Sequence, residues 1–183
     1  MLLLIKYTLL YGIVLMLVAL GGMFSEHSGI INIALEGIMV IGGVAGVLTL
    51  TMLPESLPAF ATVIIAVLAA AIAGMVYSLL LAFASINLKA DQTIGGTALN
   101  LLAPALVLFF IRIIANQNTL NMASGDSASW FMIKKSTLGI DRSVDLGFFG
   151  ETFINKVYLA TYVCILVFII LSILLYKTRF GLR

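Results

Sequence analysis

The sequence is poor in the residues that carry most enzyme chemistry and most metal sites. It has one cysteine, Cys164, and one histidine, His27, among 183 residues. A single cysteine excludes an internal disulfide and a cysteine metal cluster, and a single histidine excludes the paired-histidine zinc motif. The sequence also lacks a glycine-rich phosphate loop ending in Lys-Ser or Lys-Thr, so we do not expect the chain by itself to hydrolyse ATP. We therefore predict no catalytic residues, no metal ligands and no bound cofactor, and a function other than an enzyme.

Charge is also scarce, and apolar residues are abundant. Only 10% of the residues are charged, whereas a typical soluble domain has about 25%. The formal net charge is +2, and no basic cluster stands out, so a nucleic-acid partner is not expected. Hydrophobic residues make up 62% of the sequence, and the mean hydropathy is +1.20. These values predict an integral membrane protein in contact with lipid.

Five apolar segments are long enough to cross a bilayer, which requires roughly 20 residues each. They run over Tyr7–Phe24, Ile30–Met52, Ala59–Ile86, Thr93–Ala115 and Ile154–Tyr176. Because backbone hydrogen bonds must close within a spanning element, the fold predicted is an all-α, polytopic helical bundle. Only Ser25 to Gly29 separates the first two segments, so the second helix could be broken or re-entrant at its start.

Loops and flanking charges predict the domain organisation and the orientation. We predict a single transmembrane domain over residues 1–183, with the long connection 116–153 as an extracellular loop or cap. The tail from Lys177 to Arg183 has three positive residues and no acid, which places it in the cytoplasm. Counting back over five spans puts the loop with Lys89 inside and the N terminus outside, although Lys6 argues against the last step.

An asparagine and a glutamate interrupt the second apolar segment. Asn32 and Glu36 are four residues apart, and in a helix they would share one face. The predicted stripe places small and polar groups on one face and consists of Gly29, Asn32, Ile33, Glu36 and Gly37. An acidic side chain near the bilayer centre costs roughly 2.5 kcal/mol or more on insertion scales, which favours a role in a transport pathway. Alternatively, the pair could hydrogen-bond a neighbouring helix or cap a broken helix start.

A second polar stripe begins the fourth apolar segment. Gln92, Gly96 and Asn100 follow one another at four-residue spacing and could face the first stripe. The alternative is that these residues are only interfacial, at a cytoplasmic helix end. Together the two stripes give a predicted substrate pathway of Asn32, Glu36, Gln92, Gly96 and Asn100.

Three blocks of the sequence resemble a known family, the permease subunits of bacterial ABC importers for nucleosides and simple sugars, and more distantly for branched-chain amino acids. The block from Phe24 to Met39 is similar to the family pattern Phe-Ser-Glu-Arg-Ser-Gly followed by Asn-Ile-Gly-Leu-Glu-Gly, with His27 in place of arginine and Ala34 in place of glycine. The block from Leu88 to Ala105 resembles most closely the permeases of purine-nucleoside importers. The block from Leu175 to Arg183 is similar to the start of the segment that contacts the ATPase subunit.

The resemblance implies an ATP-driven nucleoside importer in the bacterial plasma membrane. Its expected partners are a cytoplasmic ABC ATPase that binds the ATP, a second permease subunit, an extracellular substrate-binding lipoprotein, the nucleoside and membrane lipid. The resemblance assigns ATPase coupling to Thr178, Arg179, Phe180, Gly181 and Arg183. It also implies that the domain is incomplete at the C terminus, because family members continue through further helices. The alternatives left open are a simple-sugar or branched-chain amino-acid permease and a truncated membrane fragment that does not transport.

Overall fold

A computed structural model of the chain describes residues 2–54, 57–116, 132–133, 147–153 and 157–178. Among these residues, five helices are long and apolar enough to cross a membrane. The predicted all-α membrane bundle and its five spans are therefore confirmed. The elements in chain order are α1 (Leu2–His27), α2 (Leu35–Met52), α3 (Ala59–Ile86), α4 (Gln92–Ala115), β1 (Met132–Ile133), α5 (Gly147–Phe153), β2 (Val157–Tyr158) and α6 (Leu159–Lys177).

The helix starts follow from local sequence signals. Pro58 and Asp91, both in extended backbone, precede α3 and α4. The Asp91 carboxylate accepts hydrogen bonds from the amides of Thr93 (2.8 Å) and Ile94 (3.1 Å), two donors that the first turn of a helix leaves without partners. These bonds stabilise the charged form and lower the pKa of Asp91 from its ordinary value. Pro104 lies within α4, and the helix continues on both sides of it.

The described residues of Ser25–Ser124 form one compact unit, in which α2 packs against both α3 and α4. Small residues allow α2 and α3 to approach closely. A Cβ added to Gly42 would lie 3.1 Å from the carbonyl oxygen of Ala70, and one added to Gly46 would lie 3.4 Å from its Cβ. On α3, a Cβ at Gly74 would lie 3.3 Å from the side chain of Ile38. This is the small-residue packing typical of membrane helices.

The second unit contains the described residues of Met1–Phe24 and Gly125–Arg183. Leu20 of α1 and Leu175 of α6 are its most buried large side chains, each 1% exposed. The strands β1 and β2 are two residues each and pair antiparallel. The hydroxyl of Tyr162 donates to the carbonyl of Phe153, which links α6 to α5.

Three predicted boundaries are wrong. The first helix starts at Leu2, not at Tyr7, and the second starts at Leu35, not at Ile30. The fifth apolar helix starts at Leu159, since Val157 and Tyr158 pair with β1. Most of the predicted cap at 116–153 lies outside the described residues, apart from Asn116, β1 and α5. Its extracellular side, the orientation and the single domain over 1–183 stay predictions.

Candidate substrate pathway

The start of α2 is an irregular segment inside the apolar sequence. Helix α1 ends at His27, Gly29 has a φ of 85°, and no helix is present again until Leu35. The Ser25 hydroxyl donates to the carbonyl of Ile30 (2.9 Å), which folds the chain back over the turn. The 18 residues of α2 rise only about 27 Å, slightly less than the hydrocarbon thickness of about 30 Å. The prediction of a broken start to the second helix is confirmed.

The same observation corrects the predicted first stripe. Asn32 is not helical: its side-chain oxygen accepts a hydrogen bond from the amide of Ala34 (3.1 Å), a local turn that competes with the helix. Asn32 and Glu36 therefore do not share a helical face, and the helical spacing of Gly29, Asn32 and Ile33 with Glu36 and Gly37 has no structural counterpart. That Asn32 and Glu36 line a substrate pathway remains a prediction.

Glu36 lies in the first turn of α2 and is exposed, whereas Gly37 beside it is buried. Within the described part of the chain, the Glu36 carboxylate has no hydrogen-bond or ion-pair partner. Since it lies in the first turn of α2, this carboxylate is near one end of the span, where an acidic side chain costs less than at the bilayer centre. The side chain is thus available to water, to a ligand or to another protein surface.

The second stripe contacts the irregular segment directly. Gln92 accepts a hydrogen bond from the amide of Ile31 (2.8 Å) through its side-chain oxygen. Asn100 makes two bonds: Oδ1 accepts from the amide of Gly37 (2.7 Å), and Nδ2 donates to the carbonyl of Ile33 (2.7 Å). The second stripe was expected to face the first; it does contact the segment in which the first was predicted, but its partners are backbone groups and not the side chains of Asn32 or Glu36.

Gly96 lies between these two polar residues and allows the backbone of α4 to approach that of Ile33 and Ala34 closely. A Cβ at Gly96 would lie 2.9 Å from the Cβ of Ile33 and 3.2 Å from the amide nitrogen of Ala34, closer than side chains pack. Ala34 and Ala103 are both fully buried at this contact region. We call Gln92, Gly96 and Asn100 the α4 clamp.

Sequence reasoning missed Tyr77, which ties α3 to the same region. The residue is 5% exposed, and its hydroxyl donates to the carbonyl of Leu99 (2.6 Å), next to Asn100. The available signal was the single tyrosine of α3, because a buried tyrosine hydroxyl requires a partner.

The predicted coupling residues are mostly beyond the described structure. Thr178 follows the last turn of α6, is exposed, and donates its hydroxyl hydrogen to the carbonyl of Leu174. Arg179, Phe180, Gly181 and Arg183 lie outside the described residues. Coupling to an ATPase stays a prediction.

Comparisons with known proteins place the chain in a family. The family model described as branched-chain amino acid transport system / permease component matches residues 4–183. The guanosine ABC transporter permease protein NupQ of Bacillus subtilis is 38% identical over 96% of this chain and 52% of its own length. The nucleoside ABC transporter permease protein NupC of Lactococcus lactis is 34% identical over the same shares of the two chains.

A shorter match is the putative glucose ABC transporter permease protein TsgC13 of Haloferax volcanii, 33% identical over 53% of this chain and 27% of its own. No solved structure matches the chain. The chain spans about half the length of the two nucleoside permeases it matches. With five apolar helices and a family match over nearly all its residues, this is a multi-pass plasma-membrane protein that belongs to the branched-chain amino acid transport system / permease component family.

Proposed function

We propose that this chain is part of the transmembrane permease subunit of an ATP-driven ABC importer that moves nucleosides across the plasma membrane. The observation that carries the proposal is the similarity, over 96% of the chain, to two permeases named for guanosine and for nucleosides. Its partners would be a cytoplasmic ATPase that binds ATP, a second permease subunit and an extracellular substrate-binding lipoprotein. The ATPase would contact the segment from Thr178 to Arg183. Differential binding of ATP to the outward- and inward-facing states would supply the work of transport.

The substrate pathway would run beside the irregular start of α2. Non-helical backbone at membrane depth is tolerated where protein buries it or where it lines a water-filled cavity, and within residues 28–34 the α4 clamp supplies partners for the amide of Ile31 and the carbonyl of Ile33. Glu36, exposed and without a partner in the described part of the chain, would accept hydrogen bonds from ribose hydroxyls. Gln92, Gly96 and Asn100 would support the pathway by holding its backbone, and Asn32 would shape the turn before Glu36.

The pathway residues lie at one end of the three-helix unit. Since α2, α3 and α4 run antiparallel through short loops, α2 and α4 begin on the same side of the membrane. Lys89 is on that side, and with the predicted cytoplasmic tail this end faces the cytoplasm. The irregular start of α2 would thus lie near the inner exit of the pathway.

A conservative substitution tests the role of Glu36. In cells that make the complete importer with its ATPase and binding lipoprotein, Glu36→Gln is expected to preserve assembly and raise the apparent KM for guanosine uptake roughly fivefold. The reason is that a charge-assisted hydrogen bond becomes a neutral one, a loss of about 1 kcal/mol. The assay is initial uptake of radiolabelled guanosine, and the matched control is Glu26→Gln, an exposed glutamate at the end of α1.

Unchanged uptake by Glu36→Gln would remove Glu36 from the pathway. Competition experiments test the substrate class: inhibition of uptake by excess guanosine or adenosine supports the proposal. Transport of glucose without any of nucleosides would favour a sugar permease, the second candidate, which the partial match to the putative glucose permease supports. Transport of leucine alone would favour a branched-chain amino-acid permease.

A further inference from the structure

The two backbone groups that Asn100 contacts would be partners of each other in a continuous helix. In an α-helix the amide of residue i donates to the carbonyl of residue i−4, so the amide of Gly37 would donate to the carbonyl of Ile33. Instead, Oδ1 of Asn100 accepts from that amide and Nδ2 donates to that carbonyl, both at 2.7 Å. The side-chain amide therefore takes the place of one helical hydrogen bond. The next bond, from the amide of Ile38 to the carbonyl of Ala34, is a normal helical one at 3.0 Å.

The sequence before α2 does not itself prevent a longer helix. Residues 30–34 contain neither proline nor glycine, and isoleucine costs a helix only a few tenths of a kcal/mol. The interruption instead depends on side chains: Asn100 and Gln92 from α4, and Asn32 through its turn with Ala34. An amide side chain offers the same one acceptor and the same type of donor as a peptide group, so either arrangement satisfies Gly37 and Ile33.

We propose that Asn100 is a positioning residue that holds the start of α2 open, and that withdrawal of its side chain lets α2 extend by about one turn through the bond from Gly37 to Ile33. Extension would bring Asn32 onto the face of Glu36, four residues away, which the observed turn prevents. The two arrangements of residues 30–34 would present two different polar surfaces to the pathway. The importance of this for transport rests on the proposed function, whereas the change in backbone does not.

Cysteine labelling tests the backbone change directly. In the complete importer with Cys164→Ala, single cysteines are placed at each position from 30 to 34, and labelling by a water-soluble maleimide is measured with and without Asn100→Leu. Leucine has a similar volume and makes neither hydrogen bond. We expect the labelling rates to acquire a helical period with Asn100→Leu, with the rate at position 32 rising toward that of a cysteine at position 36. The control is Asn87→Leu, an exposed asparagine that caps the end of α3.

An unchanged labelling pattern, or a uniform rise at all five positions, would overturn the proposal, because the first means that Asn100 does not hold the segment and the second means local unfolding. If Asn100→Leu does not assemble, Asn100→Asp serves in its place: its carboxylate still accepts from Gly37 but cannot donate to Ile33, and a partial shift toward the helical pattern is expected.

Measurements of guanosine uptake distinguish failure of the proposed role of Asn100 from failure of the proposed transport function. With Asn100→Leu we expect guanosine uptake to fall on the order of tenfold, since two hydrogen bonds that shape the pathway are lost. Unchanged uptake together with a helical labelling pattern would overturn the positioning role in transport. Absence of nucleoside uptake by the unsubstituted importer would overturn the proposed function, and the labelling pattern would still decide the backbone proposal because it requires no substrate.

Discussion

Adjacent glycines at the start of α4 allow a matched test of the contact between α4 and the irregular segment. A Cβ at Gly96 would lie 2.9 Å from the Cβ of Ile33, whereas carbon atoms pack at about 3.5–4.0 Å, so one side must move by at least about 0.6 Å. The obstructing atoms are a Cβ and the backbone of Ile33 and Ala34, which cannot rotate away. A Cβ at Gly95 would meet only the terminal Cδ1 of Leu81, at an ordinary 3.4 Å.

The expected changes in stability differ between the two glycines. Replacing a helical glycine with alanine gains about 1 kcal/mol of helix propensity, which Gly95→Ala should retain. Gly96→Ala has the same gain but also overpacks a rigid contact, at a cost of about 1–3 kcal/mol. We therefore expect Gly95→Ala to be more stable than the parent, and Gly96→Ala to be about 1–3 kcal/mol less stable than Gly95→Ala.

The assay is reversible unfolding of the purified protein in mixed micelles with increasing SDS, followed by circular dichroism. Both variants keep the same helix and the same added methyl group, so propensity and micelle effects cancel in their difference. Equal stability of Gly95→Ala and Gly96→Ala would refute the close approach of α4 to Ile33, and with it the geometry of the α4 clamp.

Three further predictions use the same unfolding assay. Gly42→Ala should destabilise the protein relative to Gly43→Ala, because a Cβ at Gly42 would lie 3.1 Å from the carbonyl oxygen of Ala70 and one at Gly43 meets nothing within 4 Å; equal stabilities would contradict the α2–α3 contact. Tyr77→Phe should cost about 0.5–1.5 kcal/mol by removing the hydrogen bond to Leu99, whereas Tyr11→Phe on an exposed position should cost nothing measurable. Asp91→Ala should be less stable than Asp91→Asn at pH 7, since asparagine can still cap α4. Because the folded-state pKa of Asp91 is lowered, the capping contribution is full above the ordinary pKa of 3.8 and is lost as the pH falls below it, so the parent should approach Asp91→Ala in acid and a pH-independent gap would contradict the cap.

The sequence was sufficient for the elements whose ends have local signals. Composition and the length of apolar runs gave five spans, and Pro58 and the polar stretch from Asn87 to Asp91 located α3 and α4 to within a residue. The predicted start of α2 was wrong because Ile30, Ile31 and Ile33 continue the apolar run, whereas two of the three side chains that interrupt the helix lie on α4, 61 to 67 residues away.

The candidate site was predicted in part for the same reason. Four-residue spacing correctly grouped Gln92, Gly96 and Asn100 on one face of α4, since that helix is regular. The same rule failed for Asn32 and Glu36, because it assumes a helix that a local turn ends. Tyr77 could not be assigned a partner from sequence, as its acceptor is a backbone carbonyl on another helix.

The distance in sequence between the irregular segment and the α4 clamp has a consequence for biosynthesis. Asn100 is synthesised 67 residues after Ile33, and at about 5–20 residues per second the interval is roughly 3–13 s. During that interval residues 28–34 are made, whereas Gln92 and Asn100, which hold them from α4, are not yet complete. We expect the nascent α2 to enter the membrane as a longer, continuous helix and to open only when α4 arrives, so a ribosome-bound chain ending before Gln92 should differ in this segment from a longer one.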